Sequence, residues 1–213
     1  MPSYKFFLII IMTISTSTSA WEEGFVYNDD VKIAYRDYGP IQGEPILLVQ
    51  GLGGQLINWP DHLIDFLINN GFRPIVFDNR DTGLSSRIES DQFNEGNRAK
   101  TINSTYIKYF LRLPIRPPYN LDDMANDSIA ILDHLSIDKS HLLGMSMGGM
   151  IAQIIAANHP ERILTFTLIA SSTATPSPLN GPTRDVRKLL MKRSNNPNAS
   201  MDERIERSKK IFT

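Results

Sequence analysis

Cysteine is absent from all 213 residues. That excludes a disulfide framework, a thiolate zinc site, a catalytic thiol and a lipid-modified cysteine. Charge of one sign is also missing: 22 Lys and Arg stand against 23 Asp and Glu, a formal net charge of −1. The electrostatic footprint of a nucleic-acid binder is therefore lacking. No apolar run approaches the ~20 residues needed to span a bilayer. There is no repeat and no low-complexity segment. A phosphate cradle has no support, because neither G-x-x-x-x-G-K-S/T nor the G-x-G-x-x-G spacing occurs. No metal and no cofactor is expected. What is present is 41% hydrophobic and 21% charged residues, which is ordinary globular composition and enough for one sizeable core.

The two ends differ from the middle. Lys5 precedes the apolar run Phe6 to Met12, followed by Ser15 to Ser19 and Ala20. A basic start, a short apolar stretch and a small-residue exit read as a secretory signal over residues 1–20, cleaved after Ala20. The mature protein is then expected to be secreted or periplasmic, with no membrane span. Residues 182–213 hold nine basic and four acidic residues. They read as two amphipathic helices, the first with Leu189 and Leu190 on its apolar stripe. Ser200 and Glu203 form a capping box for the second, with Ile205, Ile211 and Phe212 as its apolar positions. The sequence stops just after that apolar pair with no Gly or Pro signal, which reads as a cut.

Between the ends, apolar strands alternate with helical patterns. Phe25–Tyr27 and Val31–Tyr35 flank Asn28-Asp29-Asp30 and predict a β-hairpin. Continuous apolar runs predict buried strands at 46–49, 74–77 and 163–170, with a shorter strand at 141–144. Leu63, Phe66 and Leu67 before Asn70-Gly71 predict a helix with its stop. Leu121 to Leu135 has helical spacing, and Met150, Ile151, Ile154 and Ile155 mark another helix. Residues 79–105 read as a long loop, and 106–113 as a short helix closed by prolines. Such alternation predicts an α/β fold with a doubly wound, mostly parallel sheet. Sites in these sheets lie at the C-terminal ends of strands.

After the strand at 141–144 comes Gly144-Met145-Ser146-Met147-Gly148, a G-x-S-x-G pattern between strand and helix. A sharp strand-to-helix turn lifts the serine hydroxyl above the sheet, and the flanking Gly144 and Gly148 let backbone crowd there. Ser146 is the candidate nucleophile. After the strand at 46–49 comes Gln50-Gly51-Leu52-Gly53-Gly54. This turn, with Gly51 and Gly53, can aim the Leu52 N–H at the same place as the Met147 N–H. The two would form an oxyanion hole.

Together with Asp78-Asn79-Arg80-Asp81-Thr82-Gly83-Leu84-Ser85-Ser86, these segments resemble the N-terminal part of α/β-hydrolase-fold serine hydrolases. Within them, the chain is similar to bacterial esterases akin to the aclacinomycin methylesterases. The resemblance implies a core over 21–175, the start of a helical cap over 176–213, and hydrolysis of a small-molecule carboxylic ester. Two departures stand out. The family has His where Gln50 stands. The family's triad acid and histidine follow later strands, whereas His62, His134, His141 and His159 all read as surface or capping residues. Asp78, Asp81 and Arg80 are expected to pin the loop rather than act in catalysis. The sequence by itself thus lacks the triad acid and histidine. A truncated or degenerate hydrolase acting as a binding scaffold is the competing reading. Oligomeric state is left open.

Overall fold

In the computed structural model of the chain, residues 21–88 and 117–173 are described, together with Ser104, Lys108, Leu111, Leu113 and Pro114. The expected signal over 1–20, most of the short helix at 106–113, and the expected cap over 176–213 lie outside the described residues. The chain divides into two compact units, Met1–Ser171 and Ser172–Thr213. Every element named below belongs to the first.

The strands are β1 (Glu22–Asn28), β2 (Val31–Asp37), β3 (Glu44–Val49), β4 (Phe72–Phe77), β5 (Ser140–Met145) and β6 (Ile163–Ile169). The helices are α1 (Asp61–Asn69), α2 (Leu121–His134) and α3 (Met147–Asn158). The strands form one sheet in the order β1-β2-β4-β3-β5-β6. β1 pairs antiparallel with β2, and β2 antiparallel with β4. From β4 through β3 and β5 to β6 the pairing is parallel. The sheet is therefore mostly parallel, as the alternating elements predict.

Side-chain alternation sorts the strands into two cores. Ile33, Leu47, Val49, Ile75, Phe77 and Leu142 face one side, where Met124, Ile131 and Leu132 of α2 and Ile151 and Ile155 of α3 cover them. Ala34, Ile46, Leu48, Val76 and Leu143 face the other, under Ile64 and Leu67 of α1 with Leu56 and Trp59. A period of two along each strand feeds both faces, which is why these runs are apolar without interruption. β3 is the pivot. The chain leaves it to build β4 on one side and later returns to build β5 on the other. Such a reversal opens a crevice beyond the C-terminal ends of the two strands that flank it.

Several boundaries differ from the sequence reading, among them those of β1, β4 and α3. β1 and β4 start earlier, at Glu22 and Phe72, because strand pairing carries the ladder past polar residues and past Pro74. α3 starts at Met147, since Gly148 and Gly149 carry no apolar signal yet lie inside the helix. α2 is opened by Asn120, whose side chain accepts the N–H groups of Asp122 at 2.7 Å and Asp123 at 3.0 Å. Asp123 returns a bond to the Asn120 N–H at 2.7 Å. This reciprocal cap satisfies donors that the first turn leaves open.

Candidate active site

Ser146 stands between β5 and α3, beyond the C-terminal end of a strand that pairs with the pivot β3. Its side chain is exposed. Its backbone is at φ 53 and ψ −118, a left-handed conformation that a residue with a Cβ adopts only when its surroundings impose it. The neighbouring glycines impose it. A Cβ on Gly144 would lie 2.5 Å from the Gly148 carbonyl oxygen. One on Gly148 would lie 2.6 Å from the Val49 carbonyl carbon and 2.7 Å from the Gln50 oxygen. The first turn of α3 therefore sits directly on the end of β3, with backbone against backbone.

The turn after β3 closes on the same place. A Cβ on Gly51 would lie 3.1 Å from the Cβ of Ser146, so residue 51 and the serine are in contact. The Gly54 N–H donates to the Gly51 oxygen at 3.0 Å, and Gly53 has φ +71, which tightens the bend. Leu52 projects into solvent, 83% exposed. No hydrogen bond among the described residues takes up the N–H of Leu52 or of Met147. Neither donor is spent on a bond to the described residues, and the start of α3 adds partial positive charge beside Ser146. Gln50 is buried, and its Oε1 lies 3.3 Å from the Gly51 N–H.

A polar frame fixes this turn. Asn79 donates to the Gln50 carbonyl at 3.1 Å. Asp78 is spent on backbone: its Oδ1 accepts from Leu56 at 2.7 Å and its Oδ2 from Leu84 at 2.9 Å. Asp81 accepts from the Ile88 N–H and from the Tyr119 hydroxyl, both at 2.7 Å. Burial, then the bond to Asp81, pushes the Tyr119 phenol up to about 12. Arg80 makes a two-pronged pair with Asp127 of α2, with both bonds at 2.7 Å, and Asn28 caps the same carboxylate at 2.8 Å. Asp78, Arg80 and Asp81 are therefore structural. Asp127 was missed by sequence reasoning. Its one signal was a carboxylate among Met124, Ala125 and Ser128 on the buried face of a helix.

The histidines do not reach the serine. His141 opens β5, where its Nδ1 is 2.7 Å from the Thr165 hydroxyl and its Nε2 is 3.1 Å from Glu44. Five residues of strand, roughly 16 Å, separate it from Ser146. His159 caps the far end of α3, roughly 20 Å along the helix. His134 ends α2 with its ring edge on Tyr35, and His62 is exposed early in α1. Among the described residues no cluster of His, Asp or Glu could hold a metal ion, and no helix is long and apolar enough to cross a membrane.

The sheet order, the serine at the pivot and the Gly-rich turns agree with a family match. The family model for the alpha/beta hydrolase fold covers residues 44–202. The chain belongs to that family. Rhodomycin D methylesterase of Streptomyces peucetius is 31% identical over 144 residues, 68% of this chain and 40% of that protein. A 3-oxoadipate enol-lactonase of Acinetobacter baylyi is 28% identical over 145 residues, 68% of this chain and 43% of that one. The chain spans about two-fifths of the length of these curated relatives. A carboxylesterase structure from the thaumarchaeon Nitrososphaera gargenis aligns at a TM-score of 0.57 with 23% identity, covering 84% of this chain and 59% of the other, a likeness of fold.

Proposed function

We propose that the whole protein is a serine hydrolase of small-molecule carboxylic esters, with Ser146 as nucleophile. The observation that carries this is the exposed serine at φ 53, in contact with residue 51, with the N–H groups of Leu52 and Met147 unclaimed among the described residues. The turn 144–148 serves as a nucleophile elbow, and the N–H groups of Leu52 and Met147 as the oxyanion hole. Ser146 Oγ attacks the ester carbonyl carbon and its proton passes to a base. The carbonyl oxygen becomes an oxyanion between the two donors. The bond to the alcohol breaks, the alcohol leaves with a proton, and water then cleaves the acyl-enzyme. Further support comes from the relatives' names, a methylesterase and an enol-lactonase.

A serine hydroxyl needs a base within ~2.6–3.2 Å, and none of the four histidines lies there. We assign the base and its orienting carboxylate to residues outside 1–213, in line with the two-fifths coverage of the relatives.

The test is a fluorophosphonate probe on the complete gene product, followed by peptide mapping. Labelling at Ser146, lost in Ser146→Ala together with ester turnover, is the expected result. Labelling that survives the substitution sinks the assignment. A folded protein with neither labelling nor turnover supports the scaffold reading instead.

A further inference from the structure

The strained serine is held by a segment that the G-x-S-x-G pattern does not contain. The Ser146 N–H donates to the Ile169 carbonyl at 2.9 Å. The Ser146 carbonyl accepts from the Ser171 hydroxyl at 2.8 Å, besides the Gly149 N–H at 2.9 Å. Both polar backbone groups of the serine are therefore gripped from residues 169–171, at the C-terminal end of β6. Two local features build this grip. Ala170 takes φ 48, which turns the chain out of β6 and back toward α3. Gly149 leaves the space: a Cβ there would lie 2.5 Å from the Cβ of Ser171 and closer still to its hydroxyl. The second glycine of Gly148-Gly149 is thus a seat for Ser171.

The carbonyl that Ser171 holds matters because of what shares its plane. The Ser146 C=O and the Met147 N–H belong to one peptide unit, rigid and trans, so they point in opposite directions. Fixing the oxygen fixes the direction of the N–H. A hydrogen bond to the oxygen also polarises the unit and strengthens the N–H as a donor. We propose that Ser171 is a positioning residue, which aims and strengthens the Met147 N–H as the oxyanion forms. This rests on the reading of Ser146 as nucleophile and Met147 as donor. The Ser171 hydroxyl holds the Ser146 carbonyl. It acts through the peptide between Ser146 and Met147, at the moment when negative charge develops.

The experiment uses the complete gene product and a p-nitrophenyl ester, with Ser146→Ala as the reference for the underlying reading. Removing an oxyanion donor outright costs ~10²–10³ in kcat, so misaiming one should cost less. Ser171→Ala is expected to lower kcat by roughly ten- to a hundred-fold with KM within about twofold. Affinity for an arylboronic acid, which becomes tetrahedral on serine, should fall in parallel, while affinity for the carboxylate product should not. Ser171→Cys fills similar space with a weaker donor and should fall between the two. It also decides the matter if the alanine variant does not fold. A role in folding alone would lower the melting temperature and leave kcat per folded molecule unchanged. That result, or full kcat in the cysteine variant, overturns the proposal while Ser146 stands. Turnover that survives Ser146→Ala overturns both.

Discussion

At the scale of single residues, the site is built by what side chains would obstruct. Gly148 illustrates it. The end of β3 occupies the place of its missing Cβ, at 2.6 Å from the Val49 carbonyl carbon. Backbone cannot swing aside as a flexible side chain can, so Gly148→Ala must lever α3 off the sheet. Overpacking of this kind costs ~1–3 kcal/mol or more. Gly53 is the contrast: nothing lies within 4 Å of its absent Cβ, and only its φ of +71 resists substitution. A left-handed residue with a Cβ costs ~1–2 kcal/mol. Urea unfolding should therefore rank Gly148→Ala as the more damaging, and probe labelling at Ser146 should be lost in it first. The opposite ranking would mean that α3 can yield without the sheet. Ser146 and these glycines were legible in the sequence because the turn needs them at fixed spacing. Asp127 was not, because a carboxylate on a helix reads by default as solvated. Only the fold brings Arg80, 47 residues away, to its side. Ser171 was illegible for a similar reason: it reads as one more hydroxyl in a Ser/Thr-rich stretch.

Among elements, the strands of the sheet were read best. β3 and β4 carry continuous apolar runs, and burial on two faces demands that pattern. β6 is an edge strand among the described residues, and Leu164, Phe166, Leu168 and Ile169 are 39–48% exposed there. Its sequence reads as an interior strand, while its surroundings in this chain are those of an edge, a site prone to pairing with other chains. The segment after β4 is fastened differently, by polar contacts to the approach to α2. Tyr119 precedes the Asn120 cap and donates to Asp81. Its phenol is raised from 10 to about 12. A group with a raised folded-state value adds stability that is complete below pH 10 and is lost as the pH climbs through about 12. Tyr119→Phe should thus destabilise the protein by ~1–2 kcal/mol at pH 9, the worth of a bond to a charged acceptor. The difference from the parent should shrink by pH 11.5. The residue is only partly buried, so the slope should stay below the full ~1.4 kcal/mol per pH unit. Paired denaturant curves at the two pH values measure this, and a constant difference would show that the hydroxyl is not linked to Asp81.

For the molecule as a whole, the fold and the chemistry separate. Both core faces, the pivot strand and Ser146 lie within the described residues, with β6 at an edge of the sheet. None of the four histidines is placed beside that serine. Where each histidine falls follows from the fold: His141 begins a strand whose other end carries the serine, and His159 ends a helix whose start adjoins it. A strand or helix keeps its two ends apart, so no rotamer of either side chain closes a gap of roughly 16–20 Å. His62→Gln, His134→Gln, His141→Gln and His159→Gln should therefore each leave kcat of the complete gene product within about twofold. His141→Gln should also lose ~1 kcal/mol of stability, since its ring is 2.7 Å from the Thr165 hydroxyl. A true base behaves otherwise: its removal leaves only the ~10³–10⁴ acceleration over water that the hole and binding supply. By the same argument, residues 1–213 on their own should not turn over a p-nitrophenyl ester above that residue of activity. If one histidine variant retained its melting temperature and lost a hundred-fold or more in kcat, the base would lie within this chain. α1 or α2 would then have to move toward Ser146 during turnover, because β5 and α3 are each joined to the serine itself.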